Sequence, residues 1–183
     1  MPEKKIKIRN GLILVYTGNG KGKTSAALGT VIRAAGYNLQ TKMIQFIKGS
    51  WHYGEKDGAV LLADFFSIEQ MGKGFYKIVD DDLPEQEHKK AAAAGIARAI
   101  EVLQSAKYDI VILDEINVAL KTGLVALEDV LRVIDAKPKS CHLIMTGRDA
   151  HPKIIEKADL VTEMREIKHP FQKGRFAQKG IDF

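Results

Sequence analysis

The sequence predicts an α/β fold, a mostly parallel sheet covered by helices on both faces, in a single domain spanning residues 1–183. Three observations lead there. Apolar runs of strand length alternate with stretches of helical period, the pattern of strand–helix–strand crossovers. A glycine-rich turn stands between the first strand and the first helix. No repeat, low-complexity linker or break in composition divides the chain.

The elements follow in order. The first strand is Leu12-Ile13-Leu14-Val15-Tyr16, and Thr24 to Ala35 has the Ala, Leu and Ile spacing of a helix that ends at Gly36. Lys42 to Ile47 reads as the second strand. From Ser50 to Asp82 the chain is rich in glycine, aromatics and charge, and one short strand is expected near Val60 to Phe65. Beyond the acidic run Asp80-Asp81-Asp82, Pro84 opens a helix with Glu85 and Glu87 in its first turn, where acids suit the helix dipole. That helix runs through the alanines to about Ser105. Strand Ile110 to Leu113 leads into Asp114-Glu115. Helix Ala126 to Ile134, strand His142 to Met145, helix Pro152 to Lys157 and strand Leu160 to Met164 complete the alternation, before a basic tail containing Gly174 and Gly180.

Composition narrows the function. Hydrophobic residues make up 45% and charged residues 28%, a globular balance that excludes a disordered chain. The net charge of +5 comes from scattered lysines and arginines, so it reads as a solvated basic surface with no nucleic-acid partner expected. One cysteine, Cys141, rules out an internal disulfide and suits a reducing compartment. It stands at the start of an apolar strand, the setting of a packed thiol. The run Leu12 to Tyr16 is too short for a signal segment or a membrane span, so a cytoplasmic location away from membranes is expected.

Three motifs carry chemistry. Thr17-Gly18-Asn19-Gly20-Lys21-Gly22-Lys23-Thr24 sits between a strand and a helix, the context a phosphate-binding P-loop requires. Its glycines let backbone amides turn towards phosphate oxygens, and the helix N-terminus adds positive potential. Lys23 supplies a point charge for terminal phosphates, and Thr24 offers a hydroxyl to Mg²⁺. Thr17 stands where the common pattern has its first glycine. The second motif is the apolar strand ending in Asp114 and Glu115, a carboxylate pair placed to hold Mg²⁺ or its waters. The third is Thr146-Gly147-Arg148, where an arginine at a strand end can clamp a phosphate. The fold is thus P-loop NTPase-like. These motifs stop at a nucleoside triphosphate and magnesium: an ATPase, a small-molecule kinase and an ATP-sensing module all remain open.

The wording of the motifs goes further. Gly18-Asn19-Gly20-Lys21-Gly22-Lys23-Thr24-Ser25-Ala26-Ala27-Leu28-Gly29 resembles the P-loop of the cob(I)alamin (corrinoid) ATP adenosyltransferases. The resemblance continues through Gln45-Phe46-Ile47-Lys48-Gly49, Gly54-Glu55, Met71-Gly72-Lys73-Gly74-Phe75, Leu113-Asp114-Glu115-Ile116-Asn117 and Thr146-Gly147-Arg148. It takes in Ala158-Asp159-Leu160-Val161-Thr162-Glu163-Met164, Lys168-His169-Pro170-Phe171 and Ala177-Gln178-Lys179-Gly180-Ile181-Asp182-Phe183, nearly the whole chain from Gly11.

This resemblance implies an enzyme that moves the 5′-deoxyadenosyl group of ATP to a corrinoid reduced to Co(I), releasing triphosphate, in adenosylcobalamin synthesis or salvage. Lys23 would stabilise the leaving group together with Mg²⁺ (or Mn²⁺) held by Thr24, Asp114 and Glu115. Gly18, Asn19, Gly20, Lys21, Gly22 and Arg148 would complete the nucleotide site. The triphosphate would lie in the reverse direction to that in hydrolases, so Glu115 becomes a metal ligand and no water-activating base is needed. Phe75 would help to exclude the lower axial ligand of the cobalt. The family's second aromatic is replaced here by Lys77, with Tyr76 and Trp51 as neighbouring aromatics. Met1 to Asn10 is short for the N-terminal extension that covers the site in longer members. A homodimer and a flavoprotein reductant are the implied partners.

Overall fold

The computed structural model describes residues 8, 10–49, 52–74, 76 and 83–182. Six strands form one sheet: β1 (Ile13–Thr17), β2 (Thr41–Gln45), β3 (Phe66–Gln70), β4 (Ile110–Asp114), β5 (His142–Thr146) and β6 (Leu160–Glu163). Their order is β3-β2-β4-β5-β1-β6, and every neighbouring pair is parallel. The helices are α1 (Lys23–Ala35), α2 (Gly54–Leu61), α3 (Glu85–Gln104), α4 (Ile116–Lys121), α5 (Leu127–Asp135) and α6 (Pro152–Lys157), followed by a 3₁₀ turn at Pro170–Lys173. None of the described helices is long and apolar enough to cross a membrane.

The central strands are buried on both faces, because successive side chains point to opposite sides of a pleated sheet. Ile110 and Ile112 pack with Ala27, Val31 and Ala34 of α1 and Ala59 of α2. Val111 and Leu113 pack on the other side with Ile96, Ala99 and Val102 of α3 and Val130 and Val133 of α5. The expected helices on both faces are therefore present. Gly95 lets α3 approach closely: a Cβ there would stand 2.9 Å from the Phe46 ring.

A parallel sheet gathers the C-terminal ends of its strands along one edge. Gln45, Asp114, Thr146 and Thr17 all finish there. β5 lies between β4 and β1, so the carboxylate pair and the glycine-rich turn are two strands apart with Thr146 between them.

One expectation changes. The strand expected near Val60 to Phe65 is absent: Val60 and Leu61 end α2, and the strand begins at Phe66. Glu55 and Asp57 in the first turn of α2 favour the helix, and Val60 and Leu61 face solvent at 72% and 87% exposure. Their apolar character was misleading, since exposed aliphatics are ordinary on a folded surface. The short α4 went unpredicted, because six residues give too little period to detect.

Arg98 of α3 donates to both Glu69 carboxylate oxygens (2.8 and 2.9 Å), and Lys42 of β2 reaches the same group at 2.7 Å. Arg98 above all, with Lys42, holds the Glu69 carboxyl at about 2 against an ordinary 4.5. A depressed carboxyl stabilises the fold above its unfolded value, and that contribution disappears as the pH falls from 4.5 towards 2. Because the group is partly solvated, it is worth about 1 kcal/mol. Arg98→Ala should therefore lower the urea midpoint at neutral pH, with the gap from the parent closing as the pH approaches 2. An equal gap at both ends of that range would refute the linkage.

Candidate functional site

The turn after β1 is built on glycine for two separate reasons. Gly18 and Gly22 have φ of 90° and 107°, the left-handed region that a Cβ disfavours. Gly18 and Gly20 are also close-packed: an added Cβ would meet the Met164 carbonyl oxygen at 2.5 Å and 2.8 Å respectively. The Gly20 N–H donates to that same oxygen at 2.7 Å. The chain leaving β6 thus braces the loop from behind, a constraint that the motif alone does not reveal.

Lys23 opens α1, and its side chain turns back into the loop. Its ammonium donates to the Gly18 and Gly20 carbonyls at 2.8 and 2.7 Å. Burial lowers its pKa; Glu115 opposes that shift, while Arg148 and Lys21 reinforce it.

Asp114, with no exposed surface, ties the site together. Its Oδ1 accepts from Thr24 Oγ1 and from Thr146 Oγ1, each at 2.8 Å. Its Oδ2 accepts from Gln45 Nε2 at 3.1 Å and lies 3.6 Å from the Lys48 ammonium. The Glu115 N–H donates to Thr146 Oγ1 at 2.9 Å, which fixes the start of the next turn. Glu115 itself adopts φ 62°, a left-handed conformation rare for a side-chain-bearing residue. Burial and then the adjacent Asp114 push its carboxyl up to about 7, against the pull of Lys23, Lys48 and Arg148.

The sequence motifs quoted Lys48, Gln45 and Glu55 without giving them a role, yet they form one wall of the site. Lys48 pairs with Glu55 and stands 4.8 Å from the centre of the Tyr53 ring. Burial opposes its charge, but Asp114 and Glu55 outweigh burial and raise its pKa. The missed signal was positional: charged residues just beyond a buried strand sit on the ligand-binding edge of a parallel sheet.

These groups surround a cleft of about 540 Å³. Lys21, Gly22, Lys23 and Thr24 line it from the glycine loop and the start of α1, Glu115 and the exposed Arg148 from the turns after β4 and β5, and Lys48, Tyr53 and Glu55 from the segment between β2 and α2 and the start of α2. Gly180, Ile181 and Asp182 close it from the C-terminal end. The structure therefore brings together Lys21, Gly22, Lys23, Thr24, Glu115 and Arg148 in one cleft. Gly20 also lines it, Gly18 and Asn19 belong to the loop beneath, and Asp114 lies buried behind Thr24. Phe75, Lys77 and Trp51 lie outside the described residues. Tyr76 is a core residue, its ring tilted against His88 at 5.2 Å, so its place is in packing.

Thr24, Asp114 and Glu115 offer only oxygen donors, the hard ligand set that Mg²⁺ or Mn²⁺ accepts. No group of three or more His, Cys, Asp or Glu side chains gathers among the described residues. An ion held by one or two protein oxygens and by substrate phosphates requires no such cage.

A parallel sheet with a braced glycine loop, a lysine and threonine at a helix start and a buried aspartate at a neighbouring strand end defines a P-loop protein. The sequence pattern described as ATP:corrinoid adenosyltransferase BtuR/CobO/CobP matches residues 9–183, and the chain belongs to that family. It is 42% identical over 173 residues to a corrinoid adenosyltransferase of Pseudomonas aeruginosa, covering 94% of this chain and 84% of that one. It is 38% identical to the corrinoid adenosyltransferase of Escherichia coli strain K12 (94% and 86% covered). It is 36% identical to the corrinoid adenosyltransferase CobA of Salmonella typhimurium, with the same coverage.

The bracing of the loop can be tested directly. Gly20→Ala should cost about 2 kcal/mol of stability and weaken ATP binding at least about 10-fold, because backbone on both sides must move apart. Thermal melting and calorimetric titration read the two effects. A variant as stable and as tight-binding as the parent would show that the contact yields freely.

Proposed function

We propose that this chain transfers the 5′-deoxyadenosyl group of ATP to the Co(I) centre of a reduced corrinoid and releases triphosphate, in adenosylcobalamin synthesis or salvage. The observation that carries the reading is the meeting of the phosphate loop, the Asp114-Glu115 pair and Arg148 around one cleft in a chain of this family.

In the reaction the Co(I) electron pair forms a bond to C5′ of ATP. The C5′–O5′ bond breaks, and its electrons leave with the triphosphate. The protein's task is to bind that polyanion and to stabilise charge developing on its bridging oxygen. Loop amides from Gly18 to Gly22 and the Lys23 ammonium meet the phosphates, with Lys21 and Arg148 as further cationic contacts. Mg²⁺ (or Mn²⁺) supplies charge neutralisation when bound, held by Thr24 and Glu115. Asp114 supports that pair from behind, since its carboxylate already orients the Thr24 hydroxyl. Glu115 serves as a metal ligand and activates no water. Phe75 contributes to excluding the cobalt's lower axial ligand.

The protein works in this reading as one domain over residues 1–183, in the cytoplasm, as a homodimer, with a flavoprotein supplying the electrons that reduce cobalt. Exposed apolar residues such as Phe171 and Phe176, at 70% and 84%, are compatible with a protein surface that meets another.

Incubating the protein anaerobically with ATP, Mg²⁺ and chemically reduced cobalamin should yield a light-sensitive adenosylated corrinoid and triphosphate, read by absorbance and chromatography. ADP and phosphate with an unaltered corrinoid would identify an ATPase or kinase instead. Bound ATP with no product would mark an ATP-sensing module.

Two substitutions probe the roles. Lys23→Ala should reduce kcat about 10²–10³-fold, the loss that follows removal of one preorganised charge contact. Glu115→Gln should raise the Mg²⁺ concentration needed for half-maximal rate about 10-fold or more. An unchanged metal requirement would remove Glu115 from the ligand set.

A further inference from the structure

The chain beyond β6 crosses the phosphate loop and then runs over the surface, and residues 170–181 are all exposed. Among the described residues, the hydrogen bonds of residues 166–181 stay within residues 166–182, as in Gln172 to Glu166 and Arg175 N–H to the Pro170 carbonyl. The exception comes at the end. Asp182, 161 residues from Lys21 in sequence, pairs through Oδ1 with the Lys21 ammonium on the P-loop.

This contact is built rather than incidental. The other carboxylate oxygen, Oδ2, accepts from the Gln178 N–H at 2.7 Å, and the Asp182 N–H donates back to the Gln178 carbonyl at 2.8 Å. Gly180 makes the turn between them with φ 77°. A closed five-residue turn thus presents the carboxylate, whose side chain is only 15% exposed, while the lysine it holds is 46% exposed. Gly180, Ile181 and Asp182 themselves line the nucleotide cleft beside Lys21.

We infer that Asp182 is a positioning residue for the phosphate loop: it holds the Lys21 ammonium at the cleft rim and docks the C-terminal turn as a wall of the nucleotide site. The inference rests on the adenosyltransferase reading for its substrate, ATP, but not for its geometry. A half-exposed lysine on a flexible stem loses rotamer freedom when it meets a phosphate. An ion pair that already restrains the stem reduces that loss, so the gain falls on ATP binding and not on the chemical step. Asp182 touches neither reacting atom.

The experiment compares the parent with Asp182→Asn, Asp182→Glu, Lys21→Ala and the Lys21→Ala/Asp182→Asn double variant. ATP affinity is measured calorimetrically without corrinoid, and KM and kcat by corrinoid adenosylation. Asp182→Asn should weaken ATP binding and raise its KM about 5-fold with kcat nearly unchanged, and Asp182→Glu should restore most of the loss. In the Lys21→Ala background, Asp182→Asn should add less than about 2-fold, because the aspartate acts through the lysine. Unchanged or tighter ATP binding in Asp182→Asn would overturn the inference, the tighter result meaning that the carboxylate competes with phosphate for Lys21. A full additional loss in the double variant would overturn it too. If the parent binds ATP but adenosylates no corrinoid, the proposed function fails while the calorimetric comparison still decides the role of Asp182.

Discussion

A carboxylate with no exposed surface cannot remain in a protein interior unless it is surrounded by donors or cations. Asp114 is that carboxylate, and the architecture of the site follows from satisfying it. Its partners come from four different elements: Thr24 from α1, Thr146 from β5, Gln45 from β2 and Lys48 from the loop beyond β2. Each is drawn to the same edge of the sheet. The start of α1 is therefore fixed relative to β4, although β5 stands between the two strands. Removing the carboxylate would leave Thr24 unanchored and Lys48 short of one counter-charge. A single buried group thus sets the distance between the phosphate loop and the Asp114-Glu115 turn.

Around that anchor the charges come in partnered sets. Lys48 faces Glu55, Lys21 faces Asp182, and Lys23 turns inward to loop carbonyls. Each cation is thereby held in one place near the cleft without filling it. Preorganisation of this kind matters where charge must be stabilised at the moment a bond breaks, because dipoles that are already oriented need no rearrangement. The close approach of Met164 and Arg165 to Gly18 and Gly20 serves the same end from the backbone side.

How much of this was legible in the sequence depends on the range of the interaction concerned. β1, α1, α3, β4, β5 and α6 were readable because apolar period, a proline at a helix start and glycine at a helix end are local signals. The P-loop was readable for the same reason: its residues are contiguous. Asp114 was legible as a strand-end carboxylate, but its bonds to Thr24, 90 residues away, and to Thr146, 32 residues away, were not. Lys48, Glu55 and Asp182 were visible only as letters within matching motifs, since their roles arise from contacts across the fold. The second reason that glycine is required at Gly18 and Gly20, the chain leaving β6, is likewise a tertiary fact. The misplaced strand near Val60 shows the reverse error, in which apolar residues suggested burial and the helix turned them to solvent.

The site also stores a disagreement that its ligands would resolve. Burial acts against both the Lys23 ammonium and the Glu115 carboxylate, lowering the one and raising the other to about 7. Arg148 and Lys21 add repulsion at Lys23, and Asp114 adds it at Glu115. Like charges gathered in a partly desolvated cleft repel one another. In the proposed reading, a triphosphate among Lys21, Lys23 and Arg148 would turn that repulsion into attraction, and a divalent cation beside Glu115 would do the same for the carboxylates. Each ligand would then improve the setting of the other, since the metal's charge would favour the phosphates and the phosphates the metal. The left-handed Glu115 backbone stands at the same cleft, so local strain and charge repulsion meet where a polyanion and a divalent cation would relieve the repulsion.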